Sequence, residues 1–515
     1  MDLFRNINIQ VSSSNFYGIE VNDFAVSVAK TALWIAEAQM LDETNNLLGS
    51  SLQFLPLKSF DHIVEGNALR MDWNEVIHAS ELNYIMGNPP FVGYVYQTKD
   101  QKEDLKVTGI KVNSVDYVAG WYYQACKYIN ETKVKVAFVS TNSITQGEQV
   151  TNIWKDLYNN YPVEIDFAYK TFIWDSETSK KAHVHCVIIG FSLCSDNHQK
   201  VIYDNNQVIY AKNINPYLQD AQPIFLERRA KPINDVPKIG RGSQPTDNGN
   251  FILSKDEYTL FKEQYSDLIH LVRKYIGAKE LINGGEKYCL WLANAQPQEL
   301  KNCKFIIDRI NNIREFRSKS TKAATRKKAD TPTLFDENHQ PNTTYIAIPE
   351  VSSERRNYIP MNFLTPDIVC NNGVRLMPNA TLFHFGILNS VVHNAWMRVV
   401  CGRLESRYDY SISIVYNNFI WAEATDQQKE QITKTAQAIL DARALYPDSS
   451  LADLYDPLTM PSELLKAHKA NDKAVLALYG FKSEATEEEI IARLFELYQQ
   501  VTKKQYESIP NKVTI

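Results

Sequence analysis

The chain has no apolar stretch near the ~18 residues that cross a bilayer, and its start, Met1-Asp2-Leu3-Phe4-Arg5, lacks the basic-then-apolar order of a signal peptide. No membrane partner is expected, and the protein should stay in the cytoplasm where it is made. Paired cysteine spacing is missing as well. Cys126, Cys186, Cys194, Cys289, Cys303, Cys370 and Cys401 are scattered, which argues against a disulfide framework and a zinc site and predicts reduced thiols and no metal. No internal repeat is found. Nor is there a surplus of positive charge: the formal net charge is -5, so a nucleic-acid partner must be argued from charge distribution rather than from the sum. That distribution is uneven. Lys301, Lys304, Arg309, Arg314, Arg317, Lys319, Lys322, Arg326, Lys327 and Lys328 crowd one segment, and the stretch from Ser318 to Lys328 reads either as a solvated loop or as one that tracks phosphates. At 515 residues, about three domains are expected.

The most informative residues are Asn88-Pro89-Pro90-Phe91, arriving after the apolar run Leu82, Tyr84, Ile85 and Met86. They fit a pocket for methylating an exocyclic amine. Adenine N6 is a poor nucleophile because its lone pair is delocalised into the ring, so a catalyst must draw that pair out. The Asn88 side-chain oxygen and the Pro89 carbonyl can accept both amino hydrogens, leaving the nitrogen more tetrahedral with its lone pair aimed away from them. The prolines stiffen the loop: each fixes its own φ and pushes the residue before it out of the helical region. Phe91 offers an aromatic face that offsets part of the unstacking of a base flipped from a duplex. Taken alone, Asn-Pro-Pro can be a mere turn. A strand end is nevertheless where open α/β sheets bind ligands.

Phe16-Tyr17-Gly18-Ile19-Glu20-Val21 reads as a short strand ending in an acid, followed by an apolar helix from about Phe24 to Met40. In nucleotide-type sheets an acid at that place accepts hydrogen bonds from a ribose diol, which makes Glu20 a cofactor candidate. Asp61 to Leu69 looks like a second strand running into a loop, where Asn67 can meet an adenine edge. Asp116 to Ile129 has helical spacing, and Lys135–Ser140, Val163–Tyr169 and Val184–Phe191 read as strands. Strands alternating with helices predict an α/β fold, a parallel doubly wound sheet with an antiparallel edge, to about residue 200. Pro216 to about Tyr345 is rich in Pro, Gly, Asn and basic residues and predicts loops on an α+β body. Strands return from Tyr345 to Trp421, and from Ala424 onward the pattern is helical, ending in the amphipathic run Ile490, Ile491, Leu494, Phe495, Leu497 and Tyr498. The expected domains are therefore 1–200, 201–423 and 424–515.

The succession Phe16-Tyr17-Gly18-Ile19-Glu20, Gly66-Asn67-Ala68-Leu69 and Gly87-Asn88-Pro89-Pro90-Phe91-Val92-Gly93 resembles the adenine-specific DNA methyltransferases. More narrowly, it resembles the MmeI family of fused restriction-modification enzymes, and the likeness continues through Pro237-Lys238-Ile239-Gly240, Ile348 to Glu354 and Ile414 to Phe419. The resemblance implies a Rossmann-like class I methyltransferase sheet, then an α+β target-recognition domain and a helical C-terminal segment. By the same likeness Glu20 would bind the ribose of S-adenosylmethionine, Asn67 and Ala68 its adenine, and Asp116 would sit near it. Asn88 to Phe91 would hold the target adenine of double-stranded DNA. Arg241, in the Ile239-Gly240-Arg241-Gly242 stretch, is a DNA-binding candidate. In Gly402-Arg403-Leu404-Glu405-Ser406-Arg407-Tyr408, Glu405 and Arg407 would share a face if the segment is extended. Glu accepts from cytosine N4 and Arg donates to guanine O6 and N7, so the two can read one C·G pair; a local surface ion pair is the plain alternative. Members of the family place Glu-x-Arg or Lys-x-Asp here.

Two family features are not found: the glycine-rich strand-end motif that cradles the methionine end of the cofactor, and the nuclease with its Asp and Glu-x-Lys ligands. The expectation is a C-terminal part of a split or truncated system, weak S-adenosylmethionine binding by the chain alone, and an N-terminal methyltransferase or nuclease chain as partner. The competing readings are a sequence-specific DNA-binding subunit without catalysis, and a methyltransferase acting on RNA guanine or protein glutamine.

Overall fold

The computed structural model describes residues 11–48, 62–174, 184–194 and 198–507. Asp61, at the head of the second expected strand, and the last eight residues of the expected C-terminal segment lie outside them. The chain divides into two compact units, one of residues 1–145 and 149–225, the other of residues 146–148 and 226–515.

In the first unit, β1 (Gly18–Glu20) and β2 (Ile63–Glu65) pair in parallel, with Glu20 opposite Glu65. Between them in sequence runs α1 (Asp23–Leu48). A separate six-stranded sheet follows, built from β3 (Tyr84–Gly87), β4 (Lys135–Thr141), β5 (Glu164–Trp174), β6 (Val184–Ser192), β7 (Lys200–Asp204) and β8 (Gln207–Ala211), in the order β3-β4-β6-β5-β7-β8. β3 and β4 are parallel, while β6 runs antiparallel to both its neighbours, which is the expected mixed sheet. The single doubly wound sheet of the sequence reading is thus divided. Among the described residues, β1 and β3 each have a strand partner on one edge only.

Helices α2 (Lys99–Val107), α3 (Ala119–Tyr128) and α4 (Gly147–Asn160) complete this unit. Thr98 and Gln101 form a reciprocal capping box that starts α2. Strand β4 alternates, burying Val136, Phe138 and Ser140 on one face. Tyr122 of α3 lies 5.3 Å from Phe138, 5.3 Å from Trp154 and 5.5 Å from Phe191, ring to ring, and gives its hydroxyl a partner in Ser140 at 2.8 Å. Burial of side chains such as Phe138 and Phe191 contributes ~2 to 3 kcal/mol apiece, enough to make this aromatic cluster the anchor of the sheet.

The second unit opens with β9 (Gly240–Arg241), β10 (Ile252–Leu253), α5 (Lys255–Gln264), β11 (Val272–Ile276), α6 (Ala278–Asn283), β12 (Tyr288–Leu290), α7 (Pro297–Lys301), α8 (Lys304–Ser318) and α9 (Ala323–Lys327). It continues through β13 (Tyr345–Pro349), β14 (Val351–Ser352), β15 (Asn362–Leu364), β16 (Val369–Cys370), β17 (Val374–Pro378), α10 (Leu382–Leu388), α11 (Val391–Val400), β18 (Gly402–Leu404) and β19 (Arg407–Asp409). Its sheets are β10-β12-β11-β16, β15-β13-β17-β9 and β14-β19-β18. Last come α12 (Asp426–Ala444), α13 (Leu451–Leu454), α14 (Ser462–Leu478) and α15 (Glu487–Glu507), where Ile490, Ile491, Leu494, Phe495 and Tyr498 are all buried, as their spacing predicts.

The expectation of loops across the middle of the chain needs correction, because the cation-rich segment holds the 15-residue helix α8. Ile306 and Ile313 on its inner face are fully buried and Ile310 packs beside them. The surrounding charges masked that apolar stripe in the sequence. Close packing also explains the Gly240-Arg241-Gly242 stretch: a Cβ on Gly242 would lie 2.0 Å from the Asn371 carbonyl oxygen, so the two backbones approach as only glycine allows.

Candidate functional site

The loop after β3 leaves the carboxyl end of a parallel strand with Asn88 exposed, Pro89 buried and Phe91 half-buried. A buried proline beneath an exposed amide is the arrangement of a presented side chain on a fixed stalk. The loop is tied down at several points. The Tyr117 amide donates to the Val92 carbonyl at 2.9 Å, the Tyr94 amide to Asp116 Oδ1 at 3.0 Å, and Gln97 Nε2 to the Val115 carbonyl at 2.8 Å. Asp116 is buried, and Ser143 Oγ and Gln149 Nε2 also donate to its carboxylate. Accepting from all three, Asp116 braces the loop.

On the other side, Glu20 ends β1, and among the described residues its half-exposed carboxylate takes no hydrogen bond, which suits a diol. Asn67 is different. Its Nδ2 donates to Asp104 Oδ2 at 3.1 Å and its Oδ1 accepts from the Leu69 amide at 2.9 Å, which fixes the side chain and leaves it one amino hydrogen and one oxygen lone pair. The Ala68 carbonyl accepts from Trp73 Nε1 at 2.8 Å. Asp104 of α2 is the hub of this corner, accepting from Asn67, from Arg70 Nε and from the Tyr117 hydroxyl at 2.6 Å. Burial pushes its carboxyl up, but the hydrogen bonds of Tyr117, Arg70 and Asn67 and the Arg70 charge outweigh burial and hold it below the usual carboxylate range. Because Tyr117 also donates its amide to the loop, Asp104 links residues 67–70 to residues 88–96.

The expected strand through Glu405 and Arg407 is instead a hairpin with Glu405 and Ser406 at the turn between β18 and β19. Glu405 has φ +60°, left-handed backbone that costs a non-glycine residue ~1 kcal/mol or more. The turn, not strand alternation, brings the pair together: Arg407 donates to Glu405 at 2.8 Å. The Glu405 side chain is 76% exposed, so the pair itself adds little to stability. Arg241 is exposed on β9, opposite Arg375 of β17. Arg375 is buried and bonded to Glu350. Burial and the Glu350 charge push the Asp409 carboxyl up, against the pull of Arg375 and Arg241.

Two members of the basic segment are turned inward rather than toward solvent. Arg317 is fully buried and donates all five N–H groups to carbonyls, of Thr246 (3.0 Å), Lys328 (3.1 Å), Thr331 (3.1 Å), Pro245 (2.7 Å) and Leu334 (2.9 Å). Arg309 donates to the Asn250 and Ile252 carbonyls and pairs with Glu257. Arg314, Lys322 and Lys327 remain exposed. The sequence reading also ended the fifth strand at Tyr169, too early. β5 runs to Trp174, and its pairing with β6 carries Phe172 and Trp174 beyond the row of Gly87, Phe138, Ile189 and Ala168 at the carboxyl end of β3. The signal was the continuing Phe172-Ile173-Trp174, hidden by the bulge between Tyr169 and Phe172. Among the described residues, no group of three or more His, Cys, Asp and Glu can hold a metal, and no helix is long and apolar enough to cross a membrane.

Comparisons with known proteins agree along nearly the whole chain. Residues 2–204 match the family described as the MmeI DNA-methyltransferase domain, residues 220–423 the MmeI target recognition domain, and residues 424–505 the MmeI C-terminal domain. The chain is 39% identical over 500 residues to the protein named DNA methyltransferase A of Bacillus subtilis (strain 168), covering 96% of this chain and 57% of that protein. It is also similar to a solved structure of the type IIL restriction-modification enzyme MmeI in complex with DNA, at 44% identity and a TM-score of 0.85, covering 96% of this chain and 67% of that one. The chain thus spans somewhat more than half the length of the curated relative it matches. Three domain matches in unbroken order, joined to that identity and superposition, establish that the chain belongs to the MmeI family.

Proposed function

We propose that the chain is the catalytic and DNA-reading part of a site-specific adenine-N6 methyltransferase of a cytoplasmic restriction-modification system. The observation that carries this reading is the exposed Asn88 on a loop pinned by buried Pro89 and braced by Asp116 at the carboxyl end of β3. In that pose the Asn88 oxygen and the Pro89 carbonyl accept the two amino hydrogens of an extruded adenine, turning its lone pair outward. Phe91 covers the base. S-adenosylmethionine, when bound, supplies the methyl group. Glu20 fits its ribose diol. Asn67 and Ala68 meet its adenine, Asn67 through the Nδ2 hydrogen and Oδ1 lone pair left over from Asp104 and the Leu69 amide.

The reading divides labour along the chain. Residues 1–200 transfer, 201–423 select the target through Arg241, Glu405 and Arg407, and 424–515 support the recognition region. Exposed cations such as Arg314, Lys322 and Lys327 track phosphates. The single-edged strands β1 and β3, with Tyr84 and Met86 at 68% and 76% exposure, suit a partner that inserts a parallel strand between them. Exposed Phe24, Ile35 and Met40 on α1 suit the same partner. An N-terminal methyltransferase chain has that chemistry.

Reconstitution tests the proposal. The full chain with a polypeptide bearing the glycine-rich motif should incorporate label from S-adenosylmethionine into duplex DNA, and nucleoside analysis should return N6-methyladenine. Label in cytosine, in RNA or in protein would overturn the substrate assignment, and sequence-specific binding without any methylation would favour the non-catalytic DNA-binding subunit.

A further inference from the structure

The reading hairpin carries its discriminating residues on a tip that no third strand supports. β19 pairs with β14 only at Asp409 and Tyr408, so residues 404–407 project beyond β14, with Glu405 in left-handed backbone. Such a tip would wander if nothing held it. What holds it is a chain of guanidinium bonds leading away from the hairpin. Arg403 Nη1 donates to the Ser406 carbonyl at the turn, 3.0 Å, while its guanidinium lies 4.6 Å over the Tyr408 ring and its Nη2 donates to the main-chain carbonyl of Arg398 at 3.4 Å. Arg398, on α11, is in turn gripped by Glu487, the first residue of α15, through Nε at 3.0 Å and Nη2 at 2.7 Å, and donates Nη1 to the Asn357 carbonyl at 3.0 Å. The two helices are locked by Trp396, whose ring lies 5.7 Å from Phe495 and 6.4 Å from Tyr498.

We infer that Arg403, together with the Arg398–Glu487 pair, is a positioning device for sequence discrimination, so that the C-terminal helix α15 sets which base pair the hairpin tip prefers without touching DNA. The physical reason is geometric tolerance. A bidentate reading of a base edge fails when donor and acceptor swing by an ångström, and a fork-to-carboxylate pair is the side-chain contact that best fixes both distance and plane. Neither Glu487 nor Arg398 needs to face the groove for this to hold.

The inference rests on Glu405 and Arg407 reading the base pair, and the experiment separates the two claims. The full chain and its Glu487→Gln, Arg403→Lys and paired Glu405→Lys, Arg407→Asp variants are each used to select from a randomised duplex library, and backbone hydrogen exchange is followed across residues 402–409. Glu487→Gln keeps the side chain's shape and Arg403→Lys keeps its charge. Both should speed exchange at residues 404–407 and reduce preference ~5-fold or more at the one position that the paired exchange alters, with the other positions unchanged. Unchanged exchange in Glu487→Gln and Arg403→Lys would overturn the brace. Faster exchange with an intact preference would overturn its part in reading. Equal weakening at every position would reduce it to general support. A paired exchange that alters no position would instead sink the base-reading assignment, and this inference with it.

Discussion

The loop at residues 88–96 and the hairpin at residues 402–409 are both short and exposed, yet opposite chemistry holds them. The loop hangs on acceptors: Asp116 takes the Tyr94 amide, and Asp104 takes Tyr117, whose own amide reaches the loop. The hairpin hangs on donors, Arg403 and Arg398, just as the deeper turns of the same unit hang on Arg317. Carboxylate anchors can be withdrawn by protonation, whereas the guanidinium-to-carbonyl bonds of Arg403 cannot, so acid reaches the hairpin only through the Glu487 carboxylate that grips Arg398. Proline adds to the first and has no counterpart in the second. The two sites should therefore fail under different insults.

The largest effect is expected at Arg317. Replacing it with alanine removes the shared donor of five carbonyls at once, and denaturant titration should show a loss of ~3 to 5 kcal/mol from the second unit. A smaller loss would mean that the guanidinium anchors are dispensable. Asp116→Ala should come next, slowing methyl transfer by the reconstituted enzyme by ~10²-fold through loss of loop geometry while duplex affinity is unchanged. If affinity falls in step with rate, the brace serves binding rather than chemistry. The paired Glu405→Lys, Arg407→Asp exchange should swap a preferred C·G for G·C at one position, worth ~1 to 3 kcal/mol of discrimination, read by methylation of matched duplexes.

The smallest effects are in pH. Asp104 has a depressed carboxyl, so its contribution is complete above the unfolded value of ~3.9 and disappears as pH falls through its lower folded value. Hydrogen exchange at residues 67–70 should then rise only in acid. Asp472, in the second unit, behaves oppositely. Burial pushes it up to about 6, against hydrogen bonds from Tyr358 and the Val391 amide. It therefore costs stability above pH 6 and restores it as pH falls from about 6 toward ~3.9. Asp472→Asn should stabilise the second unit at neutral pH by on the order of 1 to 2 kcal/mol and make no difference near pH 4. A constant difference across that range would contradict the assignment.

Which parts were legible in the sequence follows from the same contrast. Stiffness in the loop is written locally, in Pro89 and Pro90, and the apolar run Leu82, Tyr84, Ile85 and Met86 leads into it, so both the loop and its place at a strand end could be read from a dozen residues. Apolar runs likewise marked β4 and β6, and the apolar stripe marked α15. The anchors were not legible. Asp104 meets Asn67 across 37 positions and Glu487 meets Arg398 across 89, and no local period encodes such pairs. For the same reason the Asp104 bond that helps fix the Asn67 side chain has no local signature. Arg317 was counted with surface cations because composition cannot tell a buried guanidinium from an exposed one, and α8 was missed because those cations obscured its stripe. The Glu405–Arg407 pair was placed together for the wrong reason: a turn at φ +60° joins them, not an extended strand.

The central claim is that Asn88 acts on the amino group of a flipped adenine rather than on DNA affinity. The most direct measurement compares the wild-type chain with Asn88→Ala in the reconstituted enzyme, following duplex binding and N6-methyladenine formation in the same samples. The account predicts unchanged binding with methylation reduced ~10³-fold or more. Methylation at a near wild-type rate, or a loss of binding that accounts for all of the lost methylation, would contradict it.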